Sequence, residues 1–211
     1  MAEDAGDLDP LKPLGEVLVP DERWAWFGRT LEDHHAYVSS IALHDGVPVA
    51  VRQHFENARN AWLYAFFAYR LLSVALLALM VACEAAVRAR AEADGTAGNG
   101  STRLQKLLER GLLERWFTDE GFAAAAEREA EWNKHRAFLL ERGEPDIGEW
   151  PVPLDDQEHA RVVADGLRRL RNALAHGRTA LHHNLTHDFQ MAADLINQLF
   201  SSPPSAAPPQ P

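Results

Sequence analysis

The strongest constraint on the fold is an almost unbroken apolar run that extends from Ala61 to Val87. Arg70 interrupts the run, and its longest uninterrupted piece, Leu71–Cys83, is shorter than the ~20 residues that a membrane-spanning helix requires. The run therefore predicts a helix that is buried in a bundle, and no membrane segment.

The rest of the chain between residues 21 and 201 is also patterned for helices. No stretch alternates apolar and polar residues for long enough to predict a sheet. A first helix is expected over Asp21–Leu43, and a long second helix, which can bend or break, over about Pro48–Ala93. A short helix is then expected, with Ser101 as its cap and Gly111 at its end.

Three more helices are expected after this short one. A charged, alanine-rich helix covers about Thr118 to Arg142, the next begins with the capping-box-like pair Asp155 and Glu158, and the last begins near Asn184. The last two helices carry the apolar stripes Val163, Leu167, Leu170 and Leu174, and Leu185, Phe189, Ala192, Ile196 and Leu199. The pattern predicts an all-α, up-and-down bundle of about five or six helices.

Composition predicts one helical domain over residues 21–201, with a disordered acidic segment over 1–20 and a disordered proline-rich tail over 202–211. A net charge of −10 argues against a protein that coats nucleic acid through broad phosphate contacts. The only cysteine is Cys83, so no internal disulfide can form, and the acidic N-terminus is unlike a secretory signal. Both observations indicate a cytoplasmic protein.

The sequence Arg171-Asn172-Ala173-Leu174-Ala175-His176-Gly177 combines groups that can act on a phosphodiester. Arginine can hold a phosphate, and histidine can move a proton near neutral pH. Asn172 can orient either group by hydrogen bonding. On one straight helix, however, the five-residue spacing separates Arg171 and His176 by about 140°. The two side chains can converge if the helix ends at Gly177, or if two copies of the chain pair and form a composite site.

The motif lies in the most basic part of an acidic chain. Five arginines (161, 168, 169, 171 and 178) and four histidines (176, 182, 183 and 187) lie between Arg161 and His187, where Asp165 is the one acid. We expect RNA contacts from Arg168, Arg178, His182 and His183. Two alternatives remain open: Arg168, Arg169 and Arg178 form a solvated helix face, or His182, His183 and His187 bind a metal ion.

The segment Arg171–Gly177 resembles the signature of the HEPN superfamily, which is arginine, a polar residue, three variable residues and histidine. The run Leu71–Arg88 resembles the long second helix of such domains, and Glu84 within it is a candidate partner for Arg171. The resemblance covers roughly residues 50–200, including the closing helix to Phe200. It implies a dimeric endoribonuclease that needs no metal or other cofactor, with Arg171 and His176 catalytic and Asn172 supporting.

The resemblance also implies a biological setting and an alternative. Such domains often act in toxin–antitoxin or antiviral defence systems, with an antitoxin or another regulatory protein as partner. Some toxins of the family carry a tyrosine two residues after the histidine, where this chain has Arg178. Other members are not nucleases, so a non-catalytic dimeric sensor or protein-interaction module is the alternative function.

Overall fold

The computed structural model describes residues 9–95, 102–150, 155–176 and 184–201. These residues form helices and connecting loops without any strand, which confirms the predicted all-α class. The described chain contains eight α-helices: α1 Arg23–Trp26, α2 Leu31–Ser40, α3 Val49–Tyr64, α4 Leu71–Ala93, α5 Leu104–Leu113, α6 Ala123–Glu141, α7 Glu158–Ala175 and α8 Thr186–Leu199.

The helix count exceeds the predicted five or six because two expected helices are each divided. The expected helix Asp21–Leu43 breaks at Gly28, whose φ of +60° is a left-handed conformation that glycine adopts without strain. Thr30 then starts α2 by accepting a hydrogen bond from the Asp33 N–H, while the Asp33 carboxylate accepts one from the Thr30 N–H. A turn and a capping box therefore replace the middle of the expected helix.

The expected long helix Pro48–Ala93 is divided into α3 and α4 by the turn at residues 65–70. This break lets α3 pack along α4, which is the most extensive helix–helix contact in the described fold. A continuous helix would hold the two apolar segments end to end, where they cannot bury each other. Burial of apolar area therefore favours the break.

The core is centred on α4, against which α3, α5, α7 and α8 pack. Trp62 of α3 and Phe189 of α8 are both fully buried, and their rings stack with centroids 4.5 Å apart. The predicted inward face of α8 is confirmed, since all five of its members are buried: Leu185, Phe189, Ala192, Ile196 and Leu199.

His34 is a buried histidine in this aromatic core. Its Nε2 lies 2.8 Å from the carbonyl oxygen of Trp62, so Nε2 carries the proton and donates it. Nδ1 has no hydrogen-bond partner among the described residues. Burial lowers the pKa of His34, and the nearby Arg29 cation lowers it further.

Gly111 does not end α5, contrary to the sequence-based expectation. The helix continues to Leu113, and Gly111 is buried where a Cβ atom would lie 2.7 Å from the Phe117 ring. The turn after α5 instead uses Arg115, whose φ is +56°. Ser101, the expected cap, lies outside the described residues, and Arg103 occupies the N-cap position. Gly111 is therefore required by close packing rather than by helix termination.

Helix α4 is the one described helix that is long and apolar enough to cross a membrane, with a mean hydropathy of 2.0 over its most apolar 18 residues. Half of that window is buried within the fold, as in the core helix of a helical bundle.

At the N-terminal side of the domain, Asp9 forms ion pairs with Arg23 and Arg70 at 2.8 and 2.9 Å. The domain boundaries and the cytoplasmic location remain predictions.

Candidate functional site at the end of helix α7

A residue that is distant in sequence anchors the N-terminus of α7, which carries the motif. The buried carboxylate of Asp119 accepts hydrogen bonds from the backbone N–H groups of His159 and Ala160, at 3.0 and 2.8 Å. The first turn of a helix leaves such N–H groups without partners inside the helix, and a carboxylate there also interacts favourably with the helix dipole. Asp119 therefore fixes the start of α7 against the rest of the fold.

The capping box predicted from Asp155 and Glu158 is wrong. Gln157 is the N-cap residue and makes no side-chain capping bond. Asp155 accepts a hydrogen bond from the Gln157 N–H at 3.0 Å, which stabilises the turn before the helix. The first turn of α7 is capped instead by the side chain of Asp119, which lies about forty positions upstream in the chain.

The predicted apolar stripe of α7 is confirmed and sets the orientation of the motif. Val163 and Leu167 are buried, and Leu170 and Leu174 are partly buried against the same core. Arg171 is the residue after Leu170, and it is exposed. Burial of the stripe therefore places the motif arginine on the solvent side of α7.

His176 occupies the C-cap of α7 and is exposed. Its backbone N–H still donates to the carbonyl oxygens of Asn172 and Ala173, at 3.1 and 3.2 Å. Its side chain therefore leaves the helix close to the direction expected for regular helix, about 140° from that of Arg171. This geometry does not direct Arg171 and His176 of one chain at a common point. Gly177, the predicted stop, lies outside the described residues.

The arginines of α7 differ in how their charge is balanced. Arg168 binds Asp165 through Nε at 3.1 Å, and Arg169 also pairs with Asp165. These two guanidinium groups, Arg168 foremost, hold the pKa of Asp165 below its usual range. Arg171 and Asn172 are exposed, and within the described part of the chain neither side chain has a hydrogen bond or ion pair. Arg161, nearer the start of α7, pairs with Asp155. Among the described residues, Arg171 is therefore the arginine of α7 that has no acidic partner.

Glu84 was expected from the sequence as a candidate partner for Arg171, but among the described residues it pairs with Arg88 instead. Its carboxylate accepts a hydrogen bond from Arg88 at 2.6 Å, one turn along α4. Arg88 also donates to the carbonyl oxygen of Thr102 at 3.1 Å. The Glu84–Arg88 pair therefore attaches α4 to the segment that precedes α5.

The other predicted RNA contacts, Arg178, His182 and His183, lie outside the described residues. His187, the third member of the alternative metal site, is described and lines a cavity of about 290 Å³. His159, Asp194 and Glu127 also line this cavity. Burial, more than the nearby Arg128, lowers the pKa of His159. The described residues contain no group of three or more His, Cys, Asp or Glu side chains that could hold a metal ion.

The cavity was not predicted, because its residues come from the starts of α6 and α7 and from α8 as far as Asp194, and they share no local sequence pattern. Its geometry does not include the motif, since Arg171 lies twelve residues beyond His159, or ~18 Å along α7. No family model, curated protein or solved structure matches this chain. The candidate site is therefore the exposed, uncompensated Arg171 with Asn172 and the C-cap His176.

Proposed function

We propose that this protein is a metal-independent endoribonuclease of the HEPN type, which acts as a toxin or defence effector in the cytoplasm. The observation that carries the proposal is the exposed guanidinium of Arg171, which has no anionic partner in the described chain and lies five residues before the exposed His176. The neighbouring Arg168 and Arg169 share Asp165, so Arg171 is the cation of α7 that is best suited to bind a phosphate.

The residue types define a balanced reaction. His176 in its neutral form takes the proton from an RNA 2′-hydroxyl, and the 2′-oxygen then attacks the adjacent phosphorus. Arg171 binds the non-bridging phosphate oxygens and stabilises the charge that develops there. The bond from phosphorus to the 5′-oxygen breaks, that oxygen takes a proton from water, and protonated His176 returns its proton to the solvent. The products are a 2′,3′-cyclic phosphate and a free 5′-hydroxyl, while Asn172 orients the phosphate or the imidazole.

The helix geometry supports a composite site in a homodimer. Arg171 and His176 leave α7 about 140° apart, so one helix does not direct both side chains at one phosphate. If α7 helices from two copies approach each other, Arg171 of one chain can face His176 of the other. Each dimer then holds two equivalent sites, as two-fold symmetry requires.

The proposal is tested by incubating labelled RNA with the purified protein in excess EDTA. We expect the wild type to cut the RNA, and we expect Arg171→Ala and His176→Ala to lose at least a hundredfold in rate, since each removes a group used in the transition state. The matched control is Arg169→Ala, because Arg169 is also exposed on α7 but is paired with Asp165. Loss of activity in Arg169→Ala equal to that in Arg171→Ala would contradict the assigned role.

The composite site is tested separately by mixing two inactive variants. When Arg171→Ala and His176→Ala chains are mixed in equal amounts and allowed to exchange, half of the dimers contain one chain of each kind. In a composite arrangement, one of the two sites in such a dimer is intact, so the mixture recovers about a quarter of the wild-type activity. A mixture that remains inactive despite exchange would show that both groups act within one chain.

A toxin of this kind acts together with a protein that controls it. A toxin requires a restraining antitoxin or another regulatory protein, and Arg178 at the position of the modified tyrosine indicates control by a route other than tyrosine modification. If the wild type leaves diverse RNAs intact in every buffer, the alternative is favoured, namely a non-catalytic dimeric sensor or interaction module.

A further inference from the structure

Exposed aromatic rings lie close together where α1 meets α2. Phe27 is 44% exposed and Tyr37 is 46% exposed. The Cζ atom of Arg29 lies 4.7 Å from the centre of the Tyr37 ring and 5.5 Å from that of the buried Trp24. The Trp24 ring in turn contacts that of Phe27, with centroids 6.3 Å apart. We define the aromatic surface as Phe27, Arg29 and Tyr37; neighbouring exposed rings of this kind, unlike single exposed apolar residues, indicate a binding surface.

The aromatic surface offers ring faces and N–H donors. The guanidinium of Arg29 carries donors and no acceptor, and its Nη1 has no hydrogen-bond partner among the described residues. Asp33 is exposed one turn before Tyr37 on the same face of α2, so a negatively charged ligand is repelled there. The positive charge of Arg29 repels a cation in the same way. The surface is therefore suited to an uncharged ligand with apolar rings and carbonyl acceptors.

The chain itself contains a segment with this chemistry. Residues 202–211 include five prolines and no charged residue. Proline has no backbone N–H but keeps its carbonyl acceptor, and the polyproline II conformation leaves that carbonyl without an internal hydrogen bond. Aromatic surfaces bind proline-rich segments in this conformation, since little conformational entropy is lost. Residues 202–211 lie outside the described residues, but Ser201, which precedes them, is described.

The end of α8 lies beside the segment that follows α2. The side chain of Asn197 accepts a hydrogen bond from the His44 N–H at 3.0 Å, and Nε2 of His44 lies 3.0 Å from the Asn197 carbonyl oxygen. Tyr37 precedes His44 by seven residues, three of them helical steps, so it lies at most ~18 Å away. Ten residues of polyproline II span ~31 Å. Residues 202–211 are therefore long enough to reach Tyr37 and to cross the aromatic surface.

We propose that residues 202–211 bind the aromatic surface of their own chain. Proline rings pack against Phe27 and Tyr37, and a backbone carbonyl of the segment accepts a hydrogen bond from Arg29. The short connection to α8 favours this intramolecular contact over a proline-rich segment of another protein, because the tether raises the effective concentration of the segment. The inference is independent of the proposed function, since none of these residues belongs to the candidate site on α7.

The first experiment places a nitroxide spin label on the segment in the full-length chain. Ala206→Cys carries the label; the native Cys83 is buried, and burial raises its pKa to about 12, so its thiol does not react. We expect the nitroxide to remove most of the backbone amide NMR signals of Phe27 and Tyr37, and reduction of the label to restore them. Signals at Phe27 that are equally strong with the oxidised and the reduced label would overturn the inference.

Substitutions in the aromatic surface test its role against simple proximity of the tether. Tyr37→Ala should restore the Phe27 signal in the labelled chain, whereas Tyr37→Phe, which keeps the ring face, should leave that signal broadened. The matched control is Phe138→Ala, because Phe138 is an exposed ring on α6 and lies outside the aromatic surface. Broadening that survives Tyr37→Ala, or that is lost to the same extent in Phe138→Ala, would contradict the proposed contact.

Two further measurements test the segment itself. Pro208→Ala/Pro209→Ala should restore the Phe27 signal because it removes two rings and the preference for polyproline II, whereas Ser205→Ala should not. In a mixture of spin-labelled chains at natural isotope abundance with unlabelled ¹⁵N chains, we expect no broadening at Phe27. Broadening in that mixture would show that the segment binds another copy and would overturn the intramolecular contact. None of these results depends on whether the protein cleaves RNA.

Discussion

Replacing Asp119 by alanine tests how the fold holds the motif helix. The change leaves the N–H groups of His159 and Ala160 without their acceptor, and Ala160 is fully buried, so water cannot replace the carboxylate. An unpaired buried N–H costs about 1–3 kcal/mol, and loss of a helix cap costs about 0.5–2 kcal/mol. We therefore expect Asp119→Ala to lower the free energy of unfolding by about 2–4 kcal/mol.

The assay is urea unfolding followed by tryptophan fluorescence, with two comparison variants. Asp119→Asn keeps one acceptor oxygen for the two N–H groups, so it should lose about half as much free energy as Asp119→Ala. Asp155→Ala removes the residue that the sequence predicted as the cap, and it should cost about 0.5 kcal/mol or less because Asp155 is exposed. Hydrogen exchange at His159 and Ala160 should accelerate in Asp119→Ala. Equal, small losses for Asp119→Ala and Asp155→Ala would refute the assignment of Asp119 as the cap.

Two other predictions concern stability. The free energy of unfolding should fall as the pH drops below about 6.5, because burial lowers the pKa of His34 and protonation therefore favours the unfolded chain. The loss should reach up to ~1.4 kcal/mol per pH unit for one proton. His34→Gln should flatten this dependence in urea titrations across pH, and an unchanged slope would contradict the prediction. Gly121→Ala should cost about 1–3 kcal/mol, because its Cβ would overlap Gln198, whereas Gly166→Ala, with open space around it, should stabilise α7 by ~0.5–1 kcal/mol. Thermal melts measure both glycine variants, and the same sign for the two would show that packing is not the cause.

Local periodicity predicted the parts of the fold that depend on single helices. The inward faces of α7 and α8 follow from apolar residues at steps of three and four, and both are buried as expected. The breaks at Gly28 and at residues 65–70 were not located, because they depend on which helices pack together. A helix pattern alone does not distinguish one long helix from two that fold back on each other.

The residues of the candidate site were predictable from the sequence, but the contacts that hold α7 in place were not. The motif identified Arg171 and His176, and its spacing already implied the 140° separation. The cap from Asp119 could not be read from the sequence, because it joins segments about forty residues apart. The pairing of Arg168 and Arg169 with Asp165 could have been predicted, because these arginines follow Asp165 by three and four positions on one helix.

The measurement that tests the central claim most directly is the chemistry of the RNA ends produced in excess EDTA. We expect wild-type protein to leave 2′,3′-cyclic phosphate and 5′-hydroxyl ends, and to leave intact an otherwise identical strand in which every 2′-hydroxyl is replaced by hydrogen. His176→Ala should produce neither end on either strand. Cleavage of the 2′-deoxy strand, 5′-phosphate products, or intact RNA after prolonged incubation with wild type would contradict the account.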